Sequence, residues 1–331
     1  MNHSNWLFAL VFASLFPSVA MADLVVAENT GEAEPGIVQR FDESGNLNPA
    51  FSTGGLYESV QGVTVGPDGF VYSLQNSLGY AEVTKLDPNT GATSGGFGTI
   101  ADSNGAYAQE PDSLTFGPDG FLYVGSTAYS SNGATNIFRV NPVTGAATQY
   151  MPIGAAGSTW IQSLAFGPDQ NLYFVDGLGG LDNLTAGAVV LKYNSNTKQL
   201  TPIIGGSNVN ALGGIAFAPS GNLAVDSANG INEYDTHGGF IETLVPEGLG
   251  GLSGAGPIAF GPDGDLYAVS PNNREILSYN GTTGQFLGTY VTSGQLGGSE
   301  PTGIAFVPEP TALLPLIAGL ALLRRRVTNP A

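Results

Sequence analysis

Cysteine does not occur in the 331 residues, and that absence removes disulfides, thiolate metal sites and cysteine nucleophiles together. Histidine is almost missing: of the two, only His237 lies outside the amino-terminal segment, so a histidine general base would have to be that residue. Its setting, Asp235-Thr236-His237-Gly238, reads as a turn. Positive charge is scarce, with nine Lys and Arg against 27 acidic residues. Between Asp23 and Phe306 the count is six against 26, a net charge of −20. A surface of that sign repels nucleic acid and anionic lipid and favours solubility and divalent cations. Without disulfides the 284 residues of this span must be held by buried apolar surface, at a length near the upper limit for one core. Repetition of a small unit resolves that tension.

What the chain has in quantity is glycine, 49 residues, and proline, 21, and much of both falls in one recurring phrase. Gly62 to Tyr72 reads GVTVGPDGFVY, Ser113 to Tyr123 SLTFGPDGFLY, Ser163 to Tyr173 SLAFGPDQNLY, Gly214 to Ala224 GIAFAPSGNLA and Pro257 to Tyr267 PIAFGPDGDLY. The turn position falls at Gly66, Gly117, Gly167, Ala218 and Gly261, giving spacings of 51, 50, 51 and 43 residues. Each phrase is a strand, a Gly-Pro-Asp-Gly turn and a second strand: Pro sets φ, Asp tolerates the next position and the last Gly accepts positive φ. The turn aspartates Asp68, Asp119, Asp169 and Asp263 are explained by that role without invoking metal. About 15 residues further on, an alternating strand closes on another turn. Its six copies begin at Ile37, Val83, Ile137, Val190, Ile231 and Ile276. Alternation predicts outer strands with one solvated face.

Strand-rich units repeating every 40 to 50 residues indicate propeller blades. The expected fold is all-β, a six-bladed β-propeller over 23–306. A sixth inner strand, Gly303 to Phe306, lacks a following partner, and Leu24 to Ala27 supplies it. Pairing of these two terminal strands closes the ring without leaving a sheet edge open. The phrases resemble NHL-type repeats and the wider group of six-bladed propellers that includes regucalcin-like lactonases and streptogramin B lyase. That resemblance concerns turn and core residues and implies a fold rather than a function.

Both ends lie outside this ring. Trp6 to Phe16 is an apolar run and Ala20-Met21-Ala22 a small-x-small cleavage pattern, so 1–22 is expected to be a secretory signal peptide, although no Lys or Arg precedes the run. At the other end Val307-Pro308-Glu309-Pro310 is followed by an apolar stretch, Thr311 to Leu323, and by Arg324, Arg325 and Arg326. This order resembles the PEP-CTERM sorting signal, so 307–331 is assigned to sorting. The resemblance implies an exosortase-type membrane protease as partner, transient inner-membrane anchoring through a carboxy-terminal transmembrane helix, and a destination at the cell surface of a bacterium that makes extracellular polysaccharide. The arginines hold that end in the cytoplasm. At about 1.5 Å per residue the apolar stretch spans about 20 Å, short for a permanent anchor and suited to a segment held for processing.

Aligning the repeats places candidate ligand residues in rings around the channel mouth. Five positions before the turn stand Gln61, Asp112, Gln162, Gly213, Gly256 and Thr302; seven before, Ser59, Glu110, Trp160, Ala211, Gly254 and Glu300. After the second strand come Glu28, Gln75, Ser126, Asp176, Ser227 and Ser270. The functional reading is a lopsided pocket in which Glu110, Asp112, Glu300, Glu28 and Asp176 hold Ca²⁺ or sugar hydroxyls and Trp160 is a stacking platform. The plainer reading treats Glu110-Pro111 and Glu300-Pro301 as solvated loop punctuation. Three classes of function follow: a non-catalytic propeller binding an extracellular glycan or surface protein, a metal-assisted hydrolase or lyase using Glu28, Asn210 and Asp176, and a structural matrix component. No nucleic-acid partner is expected.

Overall fold

The computed structural model describes residues 22–29, 35–51, 53, 59–101, 103, 105, 107–126, 135–153, 160–177, 187–205, 209, 213–254 and 256–308. Ala22 and Pro308 are among them, whereas Ala20, Glu309, Pro310, Arg324, Arg325 and Arg326 lie outside. The described strands form six antiparallel sheets, and the chain is a six-bladed β-propeller.

The chain enters through β1 (Asp23–Asn29) and β2 (Ile37–Phe41). Blade 1 follows with β3 (Ser59–Val65), β4 (Val71–Ser77), β5 (Tyr80–Leu86) and β6 (Thr93–Phe97). Blade 2 holds β7 (Pro111–Phe116), β8 (Leu122–Ser126), β9 (Thr135–Val140) and β10 (Ala147–Ile153). Blade 3 holds β11 (Ile161–Phe166), β12 (Leu172–Asp176), β13 (Val189–Asn194) and β14 (Gln199–Gly205). Blade 4 holds β15 (Ile215–Phe217), β16 (Leu223–Ser227), β17 (Gly230–Tyr234) and β18 (Phe240–Pro246). Blade 5 holds β19 (Ile258–Phe260), β20 (Leu266–Ser270), β21 (Glu275–Tyr279) and β22 (Phe286–Val291). The last strand, β23 (Glu300–Val307), joins β1 and β2 as blade 6, which is three-stranded among the described residues.

The closure has the expected register, Leu24↔Phe306 through Ala27↔Gly303, and extends to Asp23↔Val307 and Asn29↔Glu300 around a bulge between Ala27 and Glu28. The expectation for the alternating strands needs correcting. They are third strands and not the outermost: β17 is buried along its whole length and β21 nearly so, while fourth strands such as β6 and β22 carry the exposed residues. A third strand has strands on both sides, and its two faces are covered by the neighbouring blades.

The core is correspondingly divided into six apolar clusters, one in each seam between blades. The repeated phrase supplies its key contact. The Tyr of one blade packs edge-on against the Phe of the next blade's inner strand: Tyr72 on Phe116, Tyr123 on Phe166, Tyr173 on Phe217 and Tyr267 on Phe306, with centroids 4.8–5.0 Å apart. Such pairs add roughly 0.5–1.5 kcal/mol beyond area burial. The turn glycine makes room for this packing. A Cβ on Gly117 would stand 2.5 Å from the Tyr123 ring and 2.8 Å from Asp119 Oδ1. Where blade 4 has Ala218 at the turn, the Tyr is Ala224, so the two exceptions accompany each other.

Each turn aspartate accepts the hydroxyl of its own blade's Tyr, at 2.9–3.0 Å for Asp68, Asp119, Asp169 and Asp263. In blades 1 to 3 a cation from the third strand completes the group: Lys85 lies 2.7 Å from Asp68, Arg139 2.8 Å from Asp119 and Lys192 2.8 Å from Asp169. Burial alone would raise the Asp68 carboxyl, but the bonds from Lys85, Tyr72 and the Phe70 N–H outweigh it and hold the group below the usual carboxylate range. Blade 5 lacks the cation, because Ser278 stands opposite Tyr267. There burial and the neighbouring Asp263 raise the Asp265 carboxyl.

Candidate functional site

All six inner strands run away from one face, the mouth, towards the Gly-Pro-Asp-Gly turns on the opposite face. Their first residues line a central cup of about 130 Å³. Gln61, Asp112, Gln162 and Thr302 form a polar ring at its rim, and Gly214 and Pro257 leave blades 4 and 5 bare. One layer deeper, Val63, Leu114, Leu164, Ile215, Ile258 and Ile304 converge, all nearly inaccessible. This apolar ring seals the channel. As formed by the described residues, the cup is well below the roughly 300–1,000 Å³ of an enclosing small-molecule pocket.

Cross-blade hydrogen bonds fix the rim. Thr302 Oγ1 donates to the Val60 carbonyl at 2.7 Å, Ser113 Oγ to the Ile161 carbonyl at 3.2 Å, and the Ile215 N–H donates to Ser163 Oγ at 3.1 Å. Gln61 Nε2 donates to Ser59 Oγ at 3.0 Å.

A hydrogen-bonded network at the mouth is built around Trp160. Its indole Nε1–H donates to Asp112 Oδ2 at 2.5 Å, reaching from blade 3 to blade 2, and Gln162 Nε2 donates to the same oxygen at 3.3 Å. Its main-chain N–H donates to Asp176 Oδ1 at 3.0 Å. The sequence alignment placed Asp112, Trp160 and Gln162 at the mouth, and the structure joins them with Asp176 in one network. The half-buried ring is held at both ends before any ligand arrives.

Other candidate residues lie elsewhere. Glu110, exposed, turns outward and accepts from Asn76 Nδ2 at 2.8 Å; its φ of 40° is in the left-handed region. Glu300 is exposed at the start of β23. The third aligned ring does not line the cup: Glu28, Gln75, Ser126, Asp176, Ser227 and Ser270 are all at most 2 % exposed. The ends of second strands are covered by the hairpins and seams around them, which position in a repeat does not reveal. Glu28 is the extreme case. It is fully buried at the closure bulge, and burial pushes its carboxyl up to about 8 despite a side-chain contact from Ser299. Neither of its oxygens has a hydrogen-bond partner among the described residues.

No three acidic or histidine side chains among the described residues come together to hold a metal ion, so the Ca²⁺ arrangement read from the aligned rings does not form there. Asn210 and Ala211 lie outside the described residues. His237 sits in the β17–β18 turn on the face opposite the mouth, beside a depression of about 280 Å³ lined by Lys192, Asn194, Gln199, Thr201 and Ile203. Lys192 is already committed to Asp169 there.

No protein-family profile matches the chain, and no curated protein sequence matches it significantly. Solved structures do. A chain from the crystal structure of a nidogen/laminin complex is 12% identical with a TM-score of 0.60, covering 86% of this chain and 98% of that one. A periplasmic gluconolactonase of Pseudomonas aeruginosa is 15% identical with a TM-score of 0.57, covering 88% and 100%. TolB of Acinetobacter baumannii is 17% identical with a TM-score of 0.59, covering 87% and 67%. These similarities show the shared propeller fold.

Proposed function

We propose that this chain is an exported cell-surface propeller that binds a glycan across its channel mouth without catalysing a reaction, and that an exosortase-type system sorts it through residues 307–331. The observation that carries the binding reading is the fixed aromatic Trp160 beside a polar rim over a sealed, shallow cup. A hydroxylated ring can stack on the indole face and hydrogen-bond to Gln61, Gln162 and Thr302, while the cup formed by the described residues is smaller than an enclosing substrate pocket. The acidic net charge fits a partner other than nucleic acid.

Calorimetric titration with extracellular polysaccharide fragments tests this reading. Trp160→Ala is expected to reduce affinity at least tenfold in protein that remains folded; equal affinity in the variant overturns it. Sorting is tested by the intact mass of the protein from its native host, expected to start at Asp23 and end near Pro308 to Pro310. Retention of Arg324 to Arg326 overturns that part.

A second reading, a metal-dependent hydrolase or lyase-like enzyme acting at the central channel, is supported by the fold shared with the periplasmic gluconolactonase of Pseudomonas aeruginosa. It requires that lactone or ester turnover by the purified protein be measurable, and that Glu28→Gln and Asp176→Asn abolish it without unfolding the ring.

A further inference from the structure

A second surface adjoins the mouth along the seam between blades 1 and 2. Tyr80, at the start of β5, and Tyr107, in the segment leading to β7, pack edge-on with centroids 5.4 Å apart, yet remain 37 % and 50 % exposed. Next to them Leu78 is 84 % exposed at the tip of the β4–β5 hairpin. An exposed aromatic pair of this kind is not needed by the core, whose seam cluster lies beneath it. The backbone holds it firmly: Tyr80 bridges Gln109, Ala101 bridges Tyr107, and the Ala81 and Ala108 amides are both bonded.

Glu110 links this platform to the mouth. Its carboxylate is fixed on Asn76, its amide donates to the Gly79 carbonyl, and two residues later the same chain presents Asp112 under Trp160. The route from cup to platform crosses from β3 to β5, two strand spacings or about 10 Å. From Trp160 on blade 3 it passes across Asp112 to Glu110 on blade 2, and there turns outward past Asn76 to the aromatic pair.

We propose that this route is an extended subsite for an uncharged oligosaccharide, with one sugar stacked on Trp160, hydroxyls of the next bonded to Glu110 and Asn76, and further rings lying on Tyr80 and Tyr107. The inference rests on the glycan reading of the mouth and deepens it. Aromatic faces flanked by a fixed carboxylate and amide match the alternating apolar and hydroxylated surfaces of linked pyranose rings. The charge selects neutral chains. Lys85, Arg139, Lys192 and Lys198, the described cations of blades 1 to 3, belong to the opposite face, and Arg274, in the mouth-side turn of blade 5, is bonded to the Gly298 carbonyl, so a uronate chain on blades 1 to 3 would meet carboxylates with no cation beside them.

The test uses neutral hexose oligosaccharides of increasing length, with a uronic acid oligomer as the charged comparison. Wild-type protein is expected to bind the longest neutral chain at least tenfold more tightly than the disaccharide, and the uronate more weakly than either. Tyr80→Ala combined with Tyr107→Ala should remove the length dependence and leave disaccharide affinity unchanged, whereas Trp160→Ala weakens every length. If the double variant keeps the length dependence while Trp160→Ala still weakens binding, the extended subsite is wrong and the mouth stands. If the wild type binds no neutral chain of any length, the glycan reading itself fails. Tighter binding of the uronate overturns the charge argument and with it the proposal.

Discussion

The indole Nε1–H of Trp160 donates to Asp112 Oδ2 at 2.5 Å across the seam between blades 3 and 2. The bond holds a large aromatic side chain in one orientation at the mouth, so its ordering entropy is met during folding and not on binding. Asp112→Asn keeps the shape and replaces a charged acceptor by a neutral one. Charge-assisted bonds are about twice as strong as neutral ones, so glycan affinity should fall roughly fivefold. Titration calorimetry beside indole fluorescence checks this, with a more mobile Trp160 expected in the variant.

The buried Glu28 predicts an unusual pH dependence. Its folded carboxyl, at about 8, stands above the ordinary 4.5, so between these values the folded state holds a proton that the unfolded chain has lost. Stability attributable to this group is therefore complete below about pH 4.5, declines as pH rises, and is gone above about 8. At pH 7 the loss is roughly 3 kcal/mol. Glu28→Gln should be more stable than wild type at pH 9 and flatten the curve between pH 5 and 9. The acid limb should persist in the variant, because Asp68, Asp119 and Asp169 are held below their usual range and lose their bonds only as pH falls. Urea unfolding at several pH values measures both limbs.

The turn of blade 3 ends in Gln170 where blades 1, 2, 4 and 5 have glycine, and Gln170 takes a φ of 62°. A side chain in that region is strained by roughly 1–2 kcal/mol. Gln170→Gly relieves the strain at some cost in chain entropy, so a net gain of about 0.5–1 kcal/mol is expected. Gly69→Gln in blade 1 should do the reverse, and differential scanning calorimetry of the pair reads both signs.

Ser278 occupies the register position that Lys85, Arg139 and Lys192 hold in blades 1 to 3. Ser278→Lys should supply the missing partner of Asp263 and return the Asp265 carboxyl towards its usual range. A gain of up to about 1 kcal/mol is expected, screened by salt. Thermal melts at low and high ionic strength check it, and a melt independent of salt would count against the pairing.

The blades were legible in the sequence because one short phrase combines turn chemistry with strand residues and recurs at a nearly constant period. The closure was legible for a related reason: Gly303 to Phe306 and Leu24 to Ala27 are incomplete alone and complete together. The burial of the third strands was not, since the polar residues Asn232 and Glu233 of β17 read as solvated positions but are enclosed by adjoining blades. At the mouth, alignment located Asp112, Trp160 and Gln162 because rim position follows directly from the repeat. It did not show that Glu28 and Asp176 are buried below the rim, Glu28 at the closure bulge and Asp176 under the Trp160 main chain. Tyr80 and Tyr107 gave no periodic signal, because they belong to a hairpin and a connecting segment that differ from blade to blade.

The pairing of Asp23 with Val307 bears on how the ring would carry load. Both strand ends meet at the face away from the mouth, and β1 and β23 are joined through seven register pairs. If the molecule were held by its carboxy-terminal end and pulled through a ligand at the mouth, the force would run along β23. The bonds to β1 would then be stressed together in shear instead of opening one after another from the end. The strand pair that closes the ring would also be its tension member, and its resistance to slow pulling should exceed what its short length suggests.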